Sequence, residues 1–383
     1  MANTFSPTLQ KIFFAAAAII PTELTGFAGA VMQDFNDQGV EEGGTVRVPI
    51  IPKATVGSIP APSMSFVAGT DRTGSGIDFT LAQTAEVSWN MSAKDEQTLE
   101  NSGTAQDVFK QTMEQNFRAL RNQIESYLAL VAKNAACRAI GTAGSAPFAS
   151  DFNFLADMRK VMDDNGAPPS QTVVMNTTAS NGLRKLAALF KVNESGTEDL
   201  LRNGVLGRLH NFDLRESAGV VSHTKGTMTT ALVNSAALVI GSTTIPYDGG
   251  TPGATGIVAG DVITIAGDTN KYVVKTGPGA AAAGNIVIQS PGLLIAPADN
   301  AAIAVGNTYT GNIALSKSAI ALVVRPDLQP DSPEIQQQVV TDSVTGFSYL
   351  VVRKVGSRMA SWYMRSIYDA VAVNPYAINT LLG

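Results

Sequence analysis

Residues 104–140 carry an apolar side chain at every third or fourth position: Phe109, Met113, Phe117, Leu120, Ile124, Leu128, Val131 and Ala135. Steps of three and four return to one face of a helix, so these side chains form a single stripe. The spacing predicts one uninterrupted helix, with Thr104 and Asp107 as a start signal and Gly141 as a stop. At 1.5 Å per residue it would run roughly 55 Å, longer than most small domains are wide. Asp107, Lys110, Gln111, Glu114, Arg118, Arg121, Asn122, Glu125, Lys133 and Arg138 fall off the stripe and are expected to face water. The stripe is too short and too mixed in charge to favour a coiled coil or a bilayer span. What remains is a core or scaffold helix against which other parts of the chain pack.

A chain of 383 residues can build two or three such packed units. Its net charge of -5 argues against a surface made to coat nucleic acid, which needs clustered Lys and Arg. There is no block of like charge to form a tail or a polybasic membrane patch. The single cysteine, Cys137, excludes an internal disulfide framework, and with only His210 and His223 beside it a zinc site is not expected. The repeat places Cys137 within the long helix, where it reads as a small packed thiol.

Before the long helix, residues 45–51 read as a strand and a second strand follows at 85–91. Between them lie Pro52, Gly57, Pro60, Pro62, Gly69, Gly74 and Gly76, a connector that cannot bury much of itself. The two strands and this connector predict an extended hairpin loop, and loops of that length tend to be functional, here by lying on a neighbouring molecule. After the helix, amphipathic helices at 151–165 and 178–190 flank a buried strand at 172–175, a mixed α/β unit, and residues 212–221 look extended.

From about 227 to 312 charged residues thin out and short β runs recur at 261–266, 271–275, 285–288 and 293–296. Gly, Pro or Asn turns separate them, as in a small all-β barrel or sandwich inserted into another domain. The Gly-rich run 277–284 lacks dinucleotide-loop spacing and opens no helix, so it reads as a hairpin tip. Residues 320–324 are expected to resume the interrupted α/β unit. Long strands then follow at 338–340, 347–355 and 362–373, and the long helix offers them a surface.

No catalytic constellation accompanies this architecture. There is no phosphate loop, no Gly-x-Ser-x-Gly elbow and no His-Glu-x-x-His pair. Asp163-Asp164-Asn165-Gly166 lacks the ligand spacing of a calcium loop and reads as a helix end with a turn. No catalytic residue, cofactor or metal is expected.

The N-terminus allows a second reading. Lys11, the apolar run 12–20 and Ala28-Gly29-Ala30 imitate a secretory signal with a cleavage site. Against this, Leu9, Ile12, Phe13, Ala16 and Ile20 form a helical stripe that a signal core does not need. The alternative function is thus a secreted or surface-layer β protein.

The order of parts resembles the major capsid protein of tailed double-stranded-DNA bacteriophages, the Hong Kong 97 type of fold. Within it, residues 259–267 followed by Ile286-x-Ile288-x-x-Pro291-Gly292-Leu293 look like the β insertion of a subgroup of coat proteins. Residues 207–213 running on to Ser222-His223-Thr224 are similar to the axial segment that precedes it. The resemblance implies an α+β chain with an N-terminal arm (1–43), an extended hairpin loop (44–92) and a peripheral domain (93–165) whose spine helix spans 104–140. It further implies an axial domain in two parts (166–226 and 313–335), an inserted β domain (227–312) and peripheral return strands (336–383). The implied role is structural: a subunit self-assembling into hexamers and pentamers of an icosahedral shell that encloses double-stranded DNA without sequence-specific binding. Scaffolding, portal and decoration proteins are the implied further partners. The implied place is the virion, assembled in the host cytoplasm, with no membrane association. No separate scaffolding or protease-processed segment is recognised before the arm, so maturation by proteolysis is not implied.

Overall fold

The long helix forms at Ala105–Ala135, thirty-one residues and about 46 Å in length. The computed structural model that contains it describes residues 25–34, 43–50, 75–94, 105–186, 207–327, 333–342, 345–356 and 358–383. The helix ends five residues before the expected position. From Cys137 onward the backbone exchanges helical bonds for ladder bonds: Cys137 N donates to Ile378 O at 2.9 Å and Ala139 N to Lys271 O at 3.1 Å. Residues Arg138–Ile140 are therefore a strand, parallel to Ile378–Leu382. Tertiary pairing overrides helical periodicity here.

The stripe packs on a six-stranded sheet built around the fourteen-residue strand Met359–Ala372. Gln83–Ser92 pairs along one edge of that strand, and Ser348–Val355 and Ile320–Arg325 follow one another along the other. Ile335–Thr341 extends the sheet beyond Ser348–Val355, and Met32–Asp34 lies parallel to Ile320–Arg325. Trp362, Met364 and Tyr368 alternate inward from the long strand, as a period of two requires. Trp362 and Tyr368, with Tyr349 of the neighbouring strand, meet the helix through aromatic contacts: Phe109 with Trp362 at 4.9 Å, Phe117 with Tyr349 at 5.4 Å and Tyr127 with Tyr368 at 5.4 Å. Each large apolar side chain buried here contributes about 1.5–3 kcal/mol.

A second, larger sheet is centred on Tyr309–Ser316, which lies between Gln171–Met175 and Ile378–Leu382. Phe212–Glu216 runs parallel to Gln171–Met175. The helices Asn153–Asp164 and Thr177–Arg184 supply Leu155, Met158, Met162 and Leu183 to its own apolar cluster. The sequence assigns the return to this unit to residues 320–324. Those residues instead join the six-stranded sheet, and Tyr309–Ser316 is the returning strand. Both runs are apolar and buried, so composition does not distinguish them.

The stretch with few charges folds around its own core of Val233, Ile245, Tyr247, Ile263, Ile265, Tyr272, Val274, Ile286, Ile288 and Ile303. Its strands include Thr244–Asp248, Val262–Ile265, Tyr272–Thr276, Gly284–Ile288 and Ile303–Val305. Tyr272–Thr276 and Gly284–Ile288 are antiparallel neighbours, so the Gly-rich run between them is a hairpin connection. Residues 293–296 are not a strand, because Leu293 is held by Ser242 and Gly241 in a loop.

The early hairpin also differs from expectation. Thr45–Ile50 pairs with Ser75–Thr80 in a separate two-stranded sheet, and not with the strand at 85–91, which belongs to the six-stranded sheet. Gly76, assigned to the connector from sequence, stands in this ladder opposite Pro49. Pro52, Gly57, Pro60, Pro62, Gly69 and Gly74 lie outside the described residues, as do Thr104 and the apolar run 12–20. The class is α+β, with few helices and large sheets.

Candidate functional site: a charged row on the long helix

Of the stripe residues, Phe109, Met113, Phe117, Leu120, Ile124, Leu128 and Ala135 are buried, and Val131 is partly buried against the same core. The water-facing side is smaller than expected. Arg121, Glu125 and Lys133 are only 2%, 2% and 5% exposed. They stand on one row of the helix at steps of four, with the buried Ala129 completing it. A charge at such depth is costly unless it is paired or hydrogen-bonded. Each of these three reaches a different distant segment.

Arg121 makes a buried ion pair with Asp342, which also accepts the Thr345 hydroxyl. This fixes the turn between Ile335–Thr341 and Ser348–Val355 onto the helix. One turn further along, Glu125 accepts the backbone N–H groups of Phe27 (2.7 Å) and Ala28 (3.0 Å) and the Ser217 hydroxyl (2.7 Å). Among the described residues no cation pairs with this carboxylate; burial pushes its pKa up, and the hydrogen bonds from Phe27, Ser217, Ala28 and Gly26 pull it back. Phe27, Ala28, Ala30 and Val31 are themselves buried in the main core. Gly219 approaches so closely that a Cβ there would lie 2.8 Å from Glu125 Cγ.

Lys133 Nζ lies 3.0 Å from His223 Nδ1, and His223 Nε2 lies 2.8 Å from Asp261 Oδ1. The tautomer with hydrogen on Nε2 satisfies both: it donates to the carboxylate, and Nδ1 accepts from the ammonium. Burial lowers the Lys133 pKa, and the Asp261 charge acts against that shift. Asp261 is fully buried and also accepts the N–H groups of Gly226 (2.9 Å) and Val258 (2.8 Å). Tyr309 donates to Gly260 O at 2.7 Å and closes the cluster. Gly260 has φ +91, and a Cβ there would meet Asn134 Oδ1 at 2.7 Å, so the turn at this crossing needs glycine. Past the helix, buried Arg138 sits over the Tyr272 ring at 4.4 Å and donates to Gly292 O at 3.0 Å.

Chemically this is fastening. The Lys133–His223–Asp261 chain is sealed from solvent, with every side chain engaged by a neighbour, and it ties the low-charge β unit to the helix. Among the described residues no group of three or more His, Cys, Asp or Glu could hold a metal. His210 stands apart from His223, at φ +48 in the turn between Arg208–Leu209 and Phe212–Glu216. Cys137 is buried beside Asn165 and Asn379, and burial pushes its thiol up to about 12, which leaves it protonated and inert. Among the described residues no helix is long and apolar enough to cross a membrane.

Sequence pattern alone did not find this row. Arg121, Glu125 and Lys133 at steps of four look like surface charges, and nothing local marks them as buried. The weak signal is Ala129, Ala132 and Ala136, small residues that widen the surface available for packing.

No family model matches the chain, and no curated protein matches it. Solved structures do align with it. A structure of Mycobacterium phage Che8 aligns at 15% identity over 94% of this chain and 92% of that one, with a TM-score of 0.48. The capsid of cyanophage P-SCSP1u aligns at 11% identity over 94% and 88%, also at 0.48. The capsid of Ralstonia phage GP4 aligns at 8% identity over 94% and 92%, at 0.44. The chain is thus similar to chains of phage capsids.

Proposed function

We propose that this chain is the major capsid subunit of a tailed double-stranded-DNA phage, of the Hong Kong 97 type with an inserted β domain. The observation that carries this reading is the hairpin Thr45–Ile50 with Ser75–Thr80. Among the described residues it forms a two-stranded sheet outside both large sheets. Among the described residues it is anchored by Val46 and Val48 against Leu81, Val323, Ile367 and Val371. A two-stranded ribbon is marginal in water, so such a ribbon gains stability from a surface supplied by another molecule. A long helix backed by a fourteen-residue strand supports the same reading, because it makes the rigid body that a wall one domain thick requires.

In this reading the copies close into hexamers and pentamers of an icosahedral shell in the virion, assembled in the host cytoplasm. Scaffolding, portal and decoration proteins are its further partners. The net charge of -5, repeated over many copies, keeps packaged DNA from adhering to the wall. Export with cleavage after Ala30 fits poorly, since it would remove Phe27, Ala28 and Ala30 from the core and leave Glu125 without its amide donors. The test is electron microscopy of the overexpressed full chain, with the intact mass measured in parallel. Shells or tubes from a chain that retains residues 1–30 are expected. Solitary monomers under all assembly conditions, or a chain cut after Ala30, would overturn the proposal.

A further inference from the structure

The segment that Glu125 holds forms one wall of a cavity of about 610 Å³. Its other walls come from Arg215 on the strand Phe212–Glu216, Lys317 in the turn after Tyr309–Ser316, and Thr345 beside Asp342. The Arg215 guanidinium packs close to the segment, since a Cβ at Gly29 would collide with it. Gln33 donates back to Ala28 O and stiffens the same wall. Two cations thus line one recess, and among the described residues no carboxylate lines it. Both side chains are exposed, and among the described residues neither has an ion-pair partner.

We propose that this recess docks a carboxylate-bearing segment of a second copy of the chain. The inference rests on the shell-subunit reading and adds to it a place of contact. Charge complementarity carries it: the recess presents two cations, and a second copy of the chain carries 32 acidic against 27 basic residues. An Arg fork matches a carboxylate in two parallel hydrogen bonds, and the Lys317 ammonium supplies a second charge. Duplex DNA is the poorer occupant, because phosphate binding uses a track of cations along the backbone and here two cations line a single recess. The recess is preformed, with its rim fixed by Glu125 below and by the Arg121–Asp342 pair beside Thr345. Little ordering is therefore required on docking.

The experiment compares the full-length wild type, Arg215→Glu/Lys317→Glu, and the charge-conserving Arg215→Lys/Lys317→Arg. Sedimentation velocity at low and high salt reads assembly, and circular dichroism melting reads folding. The reversed pair is expected to melt as wild type does but to associate about tenfold or more weakly, the scale of a lost charge pair at an interface. The conserving pair is expected to retain most association, and wild-type association to weaken with salt. Undiminished assembly of the reversed pair, or wild-type assembly that ignores salt, overturns the proposal while leaving the shell reading intact. So does a duplex oligonucleotide that binds the wild type, fails to bind the reversed pair and leaves assembly unaffected, since phosphate is then the occupant. A wild type that forms no particles at all removes the shell reading, and this inference with it.

Discussion

Glu125 accepts the amide of Phe27 at 2.7 Å, a hydrogen bond that joins positions 98 residues apart and fixes the start of the described chain to the middle of the long helix. Replacing Glu125 with Ala leaves two buried amides and the Ser217 hydroxyl without their acceptor. The expected loss is about 2–5 kcal/mol, since each orphaned group costs roughly 1–3 kcal/mol and water recovers part of it. Urea melts measure the loss, and limited proteolysis is expected to reach residues 25–31 first. An unchanged melt with unchanged protection would remove the anchoring role.

The same carboxylate has a pH signature. Its folded pKa is raised above 4.5 by burial, so the folded chain takes up the proton more readily than the unfolded chain. The stability it contributes is full below 4.5, is lost as pH rises through the folded value, and is constant above that. The stability difference between wild type and Glu125→Gln is therefore expected to fall with rising pH across that window. A difference independent of pH contradicts a carboxylate raised by burial.

On the apolar side of the helix, Phe117→Asp or Leu120→Asp introduces a charge where both positions are essentially fully buried. Neither site offers a partner like those of Arg121 or Glu125, so several kcal/mol are lost and no soluble subunit is expected to accumulate. Expression followed by fractionation decides it. A soluble, cooperatively melting variant would show that the stripe is not core.

The apolar half of this architecture was legible in the sequence because burial leaves a period: three to four residues along the helix, two along Met359–Ala372. The low-charge β unit was legible from composition, and its hairpin at 277–284 from glycine. The charged row was not. Arg121, Glu125 and Lys133 are buried by segments that arrive from residues 342, 27 and 223, and no local window contains both partners. Pairing choices failed for a similar reason: the runs at 309–316 and 320–325 are equally apolar, and the strand at 45–50 has two candidate neighbours downstream. Register and partner are long-range properties.

Asp261 joins the β unit to the helix by accepting from His223, Gly226 and Val258. Asp261→Ala leaves the Lys133 charge without its counter-charge and orphans two amides, so a loss of about 3–5 kcal/mol is expected. His223→Ala alone should cost less, because Asp261 keeps its amide donors. Proteolysis within 227–312 reports detachment. Equal losses for the two variants would show that the histidine, and not the carboxylate, organises the crossing.

The Arg121–Asp342 pair invites a double-mutant cycle. Either single change, Arg121→Met or Asp342→Leu, strands a buried charge and is expected to cost about 3–5 kcal/mol. The double variant is expected to recover most of that loss, since an apolar pair of similar volume avoids desolvating two ions. Additive losses in the cycle would mean that the two side chains stabilise independently.

Deleting residues 52–74 and closing the gap with a short turn separates folding from assembly. The ladder from Thr45–Ile50 to Ser75–Thr80 keeps all its pairs, including Pro49 with Gly76, so the deletion stops short of Gly76. Neither large sheet includes the hairpin, and its anchoring residues Val46 and Val48 remain. Melting is therefore expected to match wild type within about 1 kcal/mol, because the closure entropy of a connection changes slowly with its length. Assembly is expected to fail or to yield only small, irregular oligomers, because the deleted stretch is the part proposed to lie on a neighbour. Electron microscopy of both proteins prepared side by side gives the answer: wild-type particles from the deleted chain would refute the loop's assignment, and a deleted chain that no longer folds would show that the loop packs on its own subunit.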